Sequence, residues 1–215
     1  MIYSSIIESV KLYMTNIKKI WSWLWPILLG IAFVVIAKTF FVQAVNISGD
    51  SMYPNLQNQE KVLCFKHMAI KRESVIVFDS YGVDPVTKAS KLYVKRVIGI
   101  PGDTIQAKKG EILVNGHILN QKFISNNQRT VGTGNWSLTS LPTLYKWLNY
   151  KTVIRVPKNT YFCLGDNRAI SRDSRYFGFV PRNKILGVVK APLWIKNKQR
   201  RDAINRQWQT PFECQ

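Results

Sequence analysis

Residues 20–37 read IWSWLWPILLGIAFVVIA, 18 residues without a charged side chain near the N-terminus. As a helix rising 1.5 Å per residue this run is about 27 Å long, close to the ~30 Å hydrocarbon thickness of a bilayer. After Lys38 it resumes as TFFV, which extends the apolar stretch to residue 42. Trp21, Trp23 and Trp25 cluster at its start, as aromatics do at a membrane interface. Pro26 falls in the first turns of such a helix, where a missing N–H does least harm. A core helix would show a polar stripe, and this run has none. A cleaved export signal would be shorter and followed by small residues, whereas Lys38, Thr39 and Phe40 follow here. The run therefore reads as one uncleaved, single-pass anchor over residues 20–42.

Lys11, Lys18 and Lys19 precede the anchor with only Glu8 against them, while Asp50 and Glu60 come after it. The positive-inside rule then places residues 1–19 in the cytoplasm and the chain beyond about residue 43 outside. Apolar residues at Tyr3, Ile6, Ile7, Val10, Met14 and Ile17 recur at helical spacing. That pattern suits an interfacial helix or a plain extension of the anchor equally well.

Past the anchor the pattern turns strand-like. KVLCF (61–65), SVIVF (74–78), KLYVKRVIGI (91–100), EILVNGHIL (111–119), TVIRV (152–156), TYFCLG (160–165) and ILGVV (185–189) are short, β-branched or aromatic runs separated by Gly, Pro, Asn and Asp. Asn115-Gly116 between two apolar triplets is a two-residue hairpin signal. The reading is an all-β domain over residues 43–206, with a tail at 207–215. Residues 123–150 break the rhythm and read as an insertion or lid.

The chain has 215 residues, 46% of them hydrophobic, which excludes disorder throughout. Three cysteines cannot build a disulfide framework. A net charge of +19 admits nucleic acid, an anionic membrane or acidic partners.

Three polar segments carry chemistry. In the first, Gly49, Asp50, Ser51, Met52, Tyr53 and Pro54 place a serine on a constrained turn just outside the anchor. Such a turn is commonly no more than a turn, yet it also suits a nucleophile with backbone N–H groups nearby. The second is the strand Tyr93-Val94-Lys95-Arg96-Val97 with the turn Pro101-Gly102-Asp103. Alternation puts Lys95 and Arg96 on opposite, substantially apolar faces, so one of them is desolvated. A desolvated lysine loses proton affinity and becomes a general base; a lysine at a sheet edge merely reaches for water. Arginine stays protonated and needs a carboxylate. The third, residues 165–181, interleaves Asp166, Asn167, Ser171, Asp173 and Ser174 with Arg168, Arg172 and Arg175, as a loop bracing a site would. Neither His67 nor His117 lies in a polar constellation fit for a Ser-His-Asp triad. Two histidines and scattered cysteines show no metal-ligand spacing, so no metal or other cofactor is expected. Cys64 and Cys163, within strand-like runs, read as buried small hydrophobes whose pairing is left open, as is that of Cys214.

In this order behind an N-terminal anchor, the segments resemble bacterial type I signal peptidases, membrane serine proteases with a Ser/Lys dyad. The family's S-M-x-P-T-L box stands here as residues 51–56, its Y-x-K-R-x-x-G-x-P-G-D box as 93–103, and its G-D-N-R-x-x-S-x-D-S-R box as 165–175. A weaker box, usually R-G-D-I-V-V-F, stands as Arg72-Glu73-Ser74-Val75-Ile76-Val77-Phe78. The resemblance implies antiparallel sheets, Ser51 as nucleophile and Lys95 as general base, with Ser171 holding the lysine amine. It implies pairs Asp166–Arg96 and Asp173–Arg175, and a substrate surface involving Gly49, Asp50, Met52 and Tyr93. The Ser51 N–H would hold the oxyanion; Gly49 stands where some members place a further hydroxyl. Asn55 for Thr and Glu73-Ser74 for Gly-Asp are departures that bear on local geometry. The implied partners are preprotein signal peptides, cut after small residues at −1 and −3 on the outer face of the cytoplasmic membrane.

In that setting nucleic acid is not an expected partner. Eight Lys/Arg against Asp202 alone between Arg182 and Arg206 instead suit anionic lipid headgroups.

Overall fold

The computed structural model describes residues 2–205, with side chains at residue 14 and over residues 18–205. The tail expected at 207–215, Cys214 included, lies outside the described residues.

Helix α1 (Ile2–Phe40) takes in the apolar run and the segment before it. Lys18–Phe40 within it is a 23-residue stretch of mean hydropathy 2.2, its most apolar window unburied by protein, long and apolar enough to cross a membrane. Residues 2–19 are continuous with this helix, and the span stops at Phe40 rather than residue 42. Pro26 is consequently interior to the helix, contrary to its expected place in the first turns. Its missing N–H removes one i→i−4 bond, a loss membrane helices tolerate better than soluble ones.

The chain divides after Val42, and the rest forms a separate β unit. Its strands are β1 (Val42–Asn46), β2 (Lys61–Phe65), β3 (Val75–Asp79), β4 (Leu92–Gly99), β5 (Ile105–Lys108), β6 (Glu111–Val114) and β7 (His117–Ile118). After helix α2 (Asn126–Thr133) come β8 (Trp136–Ser137), α3 (Leu141–Tyr145), β9 (Thr160–Leu164), α4 (Ser174–Phe177), β10 (Val180–Pro181), β11 (Ile185–Lys190) and α5 (Lys198–Asn205). Seven strands form one sheet in the order β1-β2-β11-β3-β4-β9-β10, and four form a second, β7-β6-β5-β8. From β2 onward the strand pairs are antiparallel, as the resemblance implied.

β3 reads as continuous apolar residues because both of its faces are covered: Val75, Ile76, Val77 and Phe78 are all fully buried. Each such side chain contributes about 1.5–3 kcal/mol relative to exposure. The β6–β7 hairpin turns on Asn115 and Gly116 with φ of 54° and 84°, the left-handed pair that a two-residue hairpin demands.

Two local expectations change. Residues 152–156 form no strand. Val153 and Val156 are buried, and the backbone there pairs with the turn at 102–103, through Gly102 N–H to Val156 O and Val156 N–H to Asp103 O. Pro157 then has no N–H to continue a ladder. Residues 123–150 are built into the core: β8 pairs with β5, and Phe123, Ile124, Trp136, Leu138, Leu141 and Trp147 join the cluster around Phe162.

Candidate active site

Ser51 sits on a turn held from below. Gly49 has φ of 85°, a conformation glycine adopts without penalty, and its N–H donates to Asn58 Oδ1 at 2.9 Å. Tyr53 N–H donates to Asp50 O and Leu56 N–H to Met52 O, closing the turn. Met52 and Leu56 are buried among Val62, Val75, Val77 and Val189, which fixes the backbone and leaves Ser51 partly exposed.

Lys95 reaches this turn from β4. Its Nζ lies 2.7 Å from Ser51 Oγ, donates to Val94 O at 3.1 Å, and stands 5.2 Å from the centroid of the Tyr93 ring. The lysine is 4% exposed. Burial lowers its pKa from 10.5 to about 8, with Asp173, Cys163, Asp166 and Asp84 pulling the other way. Burial prevails, so the amine is substantially unprotonated near pH 8.

Arg96, one residue on, faces the opposite side and is fully buried. It makes a two-pronged pair with Asp166, Nε to Oδ1 at 2.8 Å and Nη2 to Oδ2 at 2.7 Å. Its Nη1 donates to Glu73 O and Ala203 O, and the guanidinium lies 4.1 Å from the Phe123 centroid. Asn55 completes the cluster, its amide donating to Asp166 Oδ2 at 2.8 Å and Phe123 O at 2.6 Å. Asp173 accepts from Arg175 Nε and Nη2, both at 2.9 Å, and from Gly165 N–H at 3.0 Å. It also caps α4 through Arg175 N–H. Both carboxylates thus hold the 165–175 loop by charge-assisted bonds in low dielectric, where such bonds are strongest.

That loop touches the nucleophile directly. Asn167 N–H donates to Ser51 O at 3.0 Å. Gly165 has room for no side chain, since a β-carbon there would lie 2.1 Å from Ser171 Oγ and 2.5 Å from Ser51 O. Ser171 is brought beside the dyad and buried, but its hydroxyl makes no hydrogen bond among the described residues. The contact to the lysine amine that the resemblance implies is therefore not made here.

An open cleft of about 230 Å³ lies over Ser51 and Lys95, lined by Ile47, Gly49, Asp50, Met52, Tyr93 and Ile170 among others. Met52, at 1% exposure, belongs chiefly to the core beneath. β9 pairs with β4 only from Arg96 onward, and Leu92, Tyr93 and Val94 line the cleft.

Three participants have partners or surroundings that the sequence reading did not foresee. Asp84 is buried and clamps Arg172 through three contacts of 2.7–3.0 Å, while accepting from Tyr93 Oη at 3.2 Å. Arg168 is buried beneath the loop. Glu73 is fully buried at φ 65°, with both carboxylate oxygens unpartnered among the described residues. Arg168 stood in the third polar segment and Glu73 as an acid where the related motif has glycine, whereas Asp84 left no sequence signal.

His67 and His117 line no part of this cleft. Cys64 and Cys163 are buried and free, and burial raises the Cys64 thiol to about 11.

The family model described as signal peptidase, peptidase S26, matches residues 20–194. Signal peptidase IB of Staphylococcus aureus is 34% identical over 180 residues, covering 79% of this chain and 88% of that protein. Signal peptidase I P of Bacillus subtilis subsp. natto is 33% identical over 171 residues, covering 77% and 84%. A solved signal peptidase I from Enterococcus faecalis aligns at 31% identity with a TM-score of 0.44, over 56% of this chain and 97% of that one. A match running from the apolar helix through all three polar segments leaves one assignment: the chain belongs to the signal peptidase family, peptidase S26, and is a membrane-anchored serine endopeptidase.

Proposed function

We propose that this protein removes signal peptides from exported preproteins, with Ser51 as nucleophile and Lys95 as general base. The observation that carries this reading is the 2.7 Å approach of a buried lysine amine to a serine hydroxyl at the floor of an open cleft. The neutral amine accepts the Ser51 proton as Oγ attacks the scissile carbonyl. The tetrahedral oxyanion is held largely by the Ser51 N–H. The Lys95 ammonium then protonates the departing amine, which frees the mature N-terminus and leaves an acyl-enzyme. Neutral again, Lys95 takes a proton from water, whose hydroxyl attacks the ester, and returns that proton to Ser51 Oγ as the signal peptide leaves.

The substrate lies as an extended strand along Leu92, Tyr93 and Val94, and the narrow cleft favours small residues at −1 and −3. Asp166–Arg96 and Asp173–Arg175 brace the loop without touching the substrate. The three lysines before the span favour an N-terminus in the cytoplasm and a β unit outside. Exposed Leu193 and Trp194, with the basic residues of the C-terminal region, favour contact with anionic lipid at that surface.

The test is cleavage of a purified preprotein with sequencing of the new N-terminus. Wild type should cut once after a small residue, and Ser51→Ala and Lys95→Ala should not cut at all. A fully active Lys95→Ala enzyme would sink the dyad. The same assay over many preproteins separates a general peptidase from one dedicated to a single substrate.

A further inference from the structure

The loop that carries Asp166, Ser171 and Asp173 is gripped from outside the motifs, by residues 121–147. Arg168 Nη1 donates to Gln121 Oε1 at 2.7 Å and to Thr133 Oγ1 at 3.1 Å. Arg175 Nη1 donates to Gly132 O, and Trp147 Nε1 to Arg175 O at 2.9 Å. The closest approach is backbone to backbone. A β-carbon at Gly132 would lie 2.2 Å from Ala169 N and 2.3 Å from Arg168 C, so only hydrogen fits. Gly132 lies inside α2 with a helical, not left-handed, backbone, where alanine would be the better helix former. Glycine at this position thus answers to the loop, not to its own helix. On its far side the same loop meets the nucleophile, through Asn167 N–H to Ser51 O and through Gly165 against Ser51 O and Ser171.

We propose that residues 121–147 are a fixed positioning element, in which Gly132 and Thr133 set the place of residues 165–171 and, through them, the approach of Ser51 to Lys95. The inference rests on the dyad reading above. It gives the 123–150 segment a role opposite to that of a lid, since the contacts run backbone to backbone and through the buried Arg168. An added methyl at Gly132 has to push the peptide at 168–169, and the displacement passes through Asn167 and Gly165 to Ser51. Residues 46–52 and 91–95, which line most of the cleft, belong to other segments, and the displaced stretch adds Ile170 to the lining, so substrate binding is largely spared.

The experiment uses the full-length protein in detergent micelles and a quenched fluorescent peptide with alanine at −1 and −3. Gly132→Ala should lower kcat at least tenfold with KM within twofold. It should also move the rising limb of the pH profile to higher pH, as water reaches Lys95. Thr133→Val should shift kcat and the limb the same way by less, Thr133→Ser should restore both, and Val131→Ala, exposed on the same helix, should match wild type. Should Gly132→Ala fail to fold, the Thr133 pair decides: kinetics unchanged in Thr133→Val overturn the proposal. Wild-type kinetics in Gly132→Ala, with the higher Tm that helix propensity alone gives, overturn it as well. A wild-type chain inert toward the peptide would sink the dyad reading and this inference together, whereas an active wild type with unaltered variants sinks the inference alone.

Discussion

Replacing Glu73 by glutamine should stabilise the protein strongly at pH 8 and hardly at all near pH 4.5. The carboxyl is fully buried, neither oxygen has a hydrogen-bond partner among the described residues, and burial raises its pKa from 4.5 to about 8. Arg96 opposes that rise and Asp166 adds to it. Below pH 4.5 the acid is protonated folded and unfolded, so it contributes no pH dependence. As pH climbs, the unfolded chain ionises first and is favoured, while the folded chain stays protonated until about 8. Stability therefore falls by about 1.36 kcal/mol per pH unit across that window, a total on the order of 5 kcal/mol, then levels off. Glutamine keeps the shape and cannot ionise, so the stability difference between E73Q and wild type should widen by that amount from pH 4.5 to 8. Glu73→Gly should show the same pH dependence, because it too removes the buried acid, with its relief of the left-handed backbone at φ 65° set against the cavity it leaves. The assay is urea unfolding of the full-length protein in micelles, followed by far-UV circular dichroism at a series of pH values. A difference that is flat with pH, or that widens toward acid, would refute the reasoning.

The other expectations follow from the same geometry. Lys95 loses its proton near pH 8, so kcat should rise with pH and plateau above that value, and His67→Ala and His117→Ala should leave the profile in place. Arg96→Met leaves Asp166 as a buried charge without its ion pair and should cost about 3–5 kcal/mol of stability, read as a lowered urea midpoint. Gly165→Ala drives a methyl into Ser171 and the Ser51 carbonyl and should lower kcat at least a hundredfold while the protein still folds, as circular dichroism will report.

The local parts of this site were legible because their geometry is local. Ser51 is presented by its own turn, Lys95 and Arg96 diverge by strand alternation alone, and Asp173 meets Arg175 two residues away. The hairpin at Asn115-Gly116 was legible for the same reason. What stayed hidden is what arrives from afar. Nothing near Asp84 announces that it will clamp Arg172, 88 residues on, and nothing near Thr133 announces Arg168. Residues 152–156 carry strand propensity that their neighbours never complete with a ladder. Pro26 misled because the helix begins well before the apolar run that signalled it. The charge of +19, which by itself admits nucleic acid, is spread along the chain and includes lysines before the span and a basic C-terminal region, whereas Arg96 and Arg175 in the site are offset by Asp166 and Asp173.

The account stands or falls on Lys95 acting as the base for Ser51. The most direct measurement is single-turnover cleavage of a preprotein by Lys95→Ala beside wild type and Ser51→Ala, from pH 6 to 10, with product N-termini sequenced. The account predicts one cut after a small residue for wild type, faster as pH passes about 8, and no cut at any pH for either variant. Cleavage by Lys95→Ala at the wild-type rate, or a wild-type rate flat across that range, would contradict it.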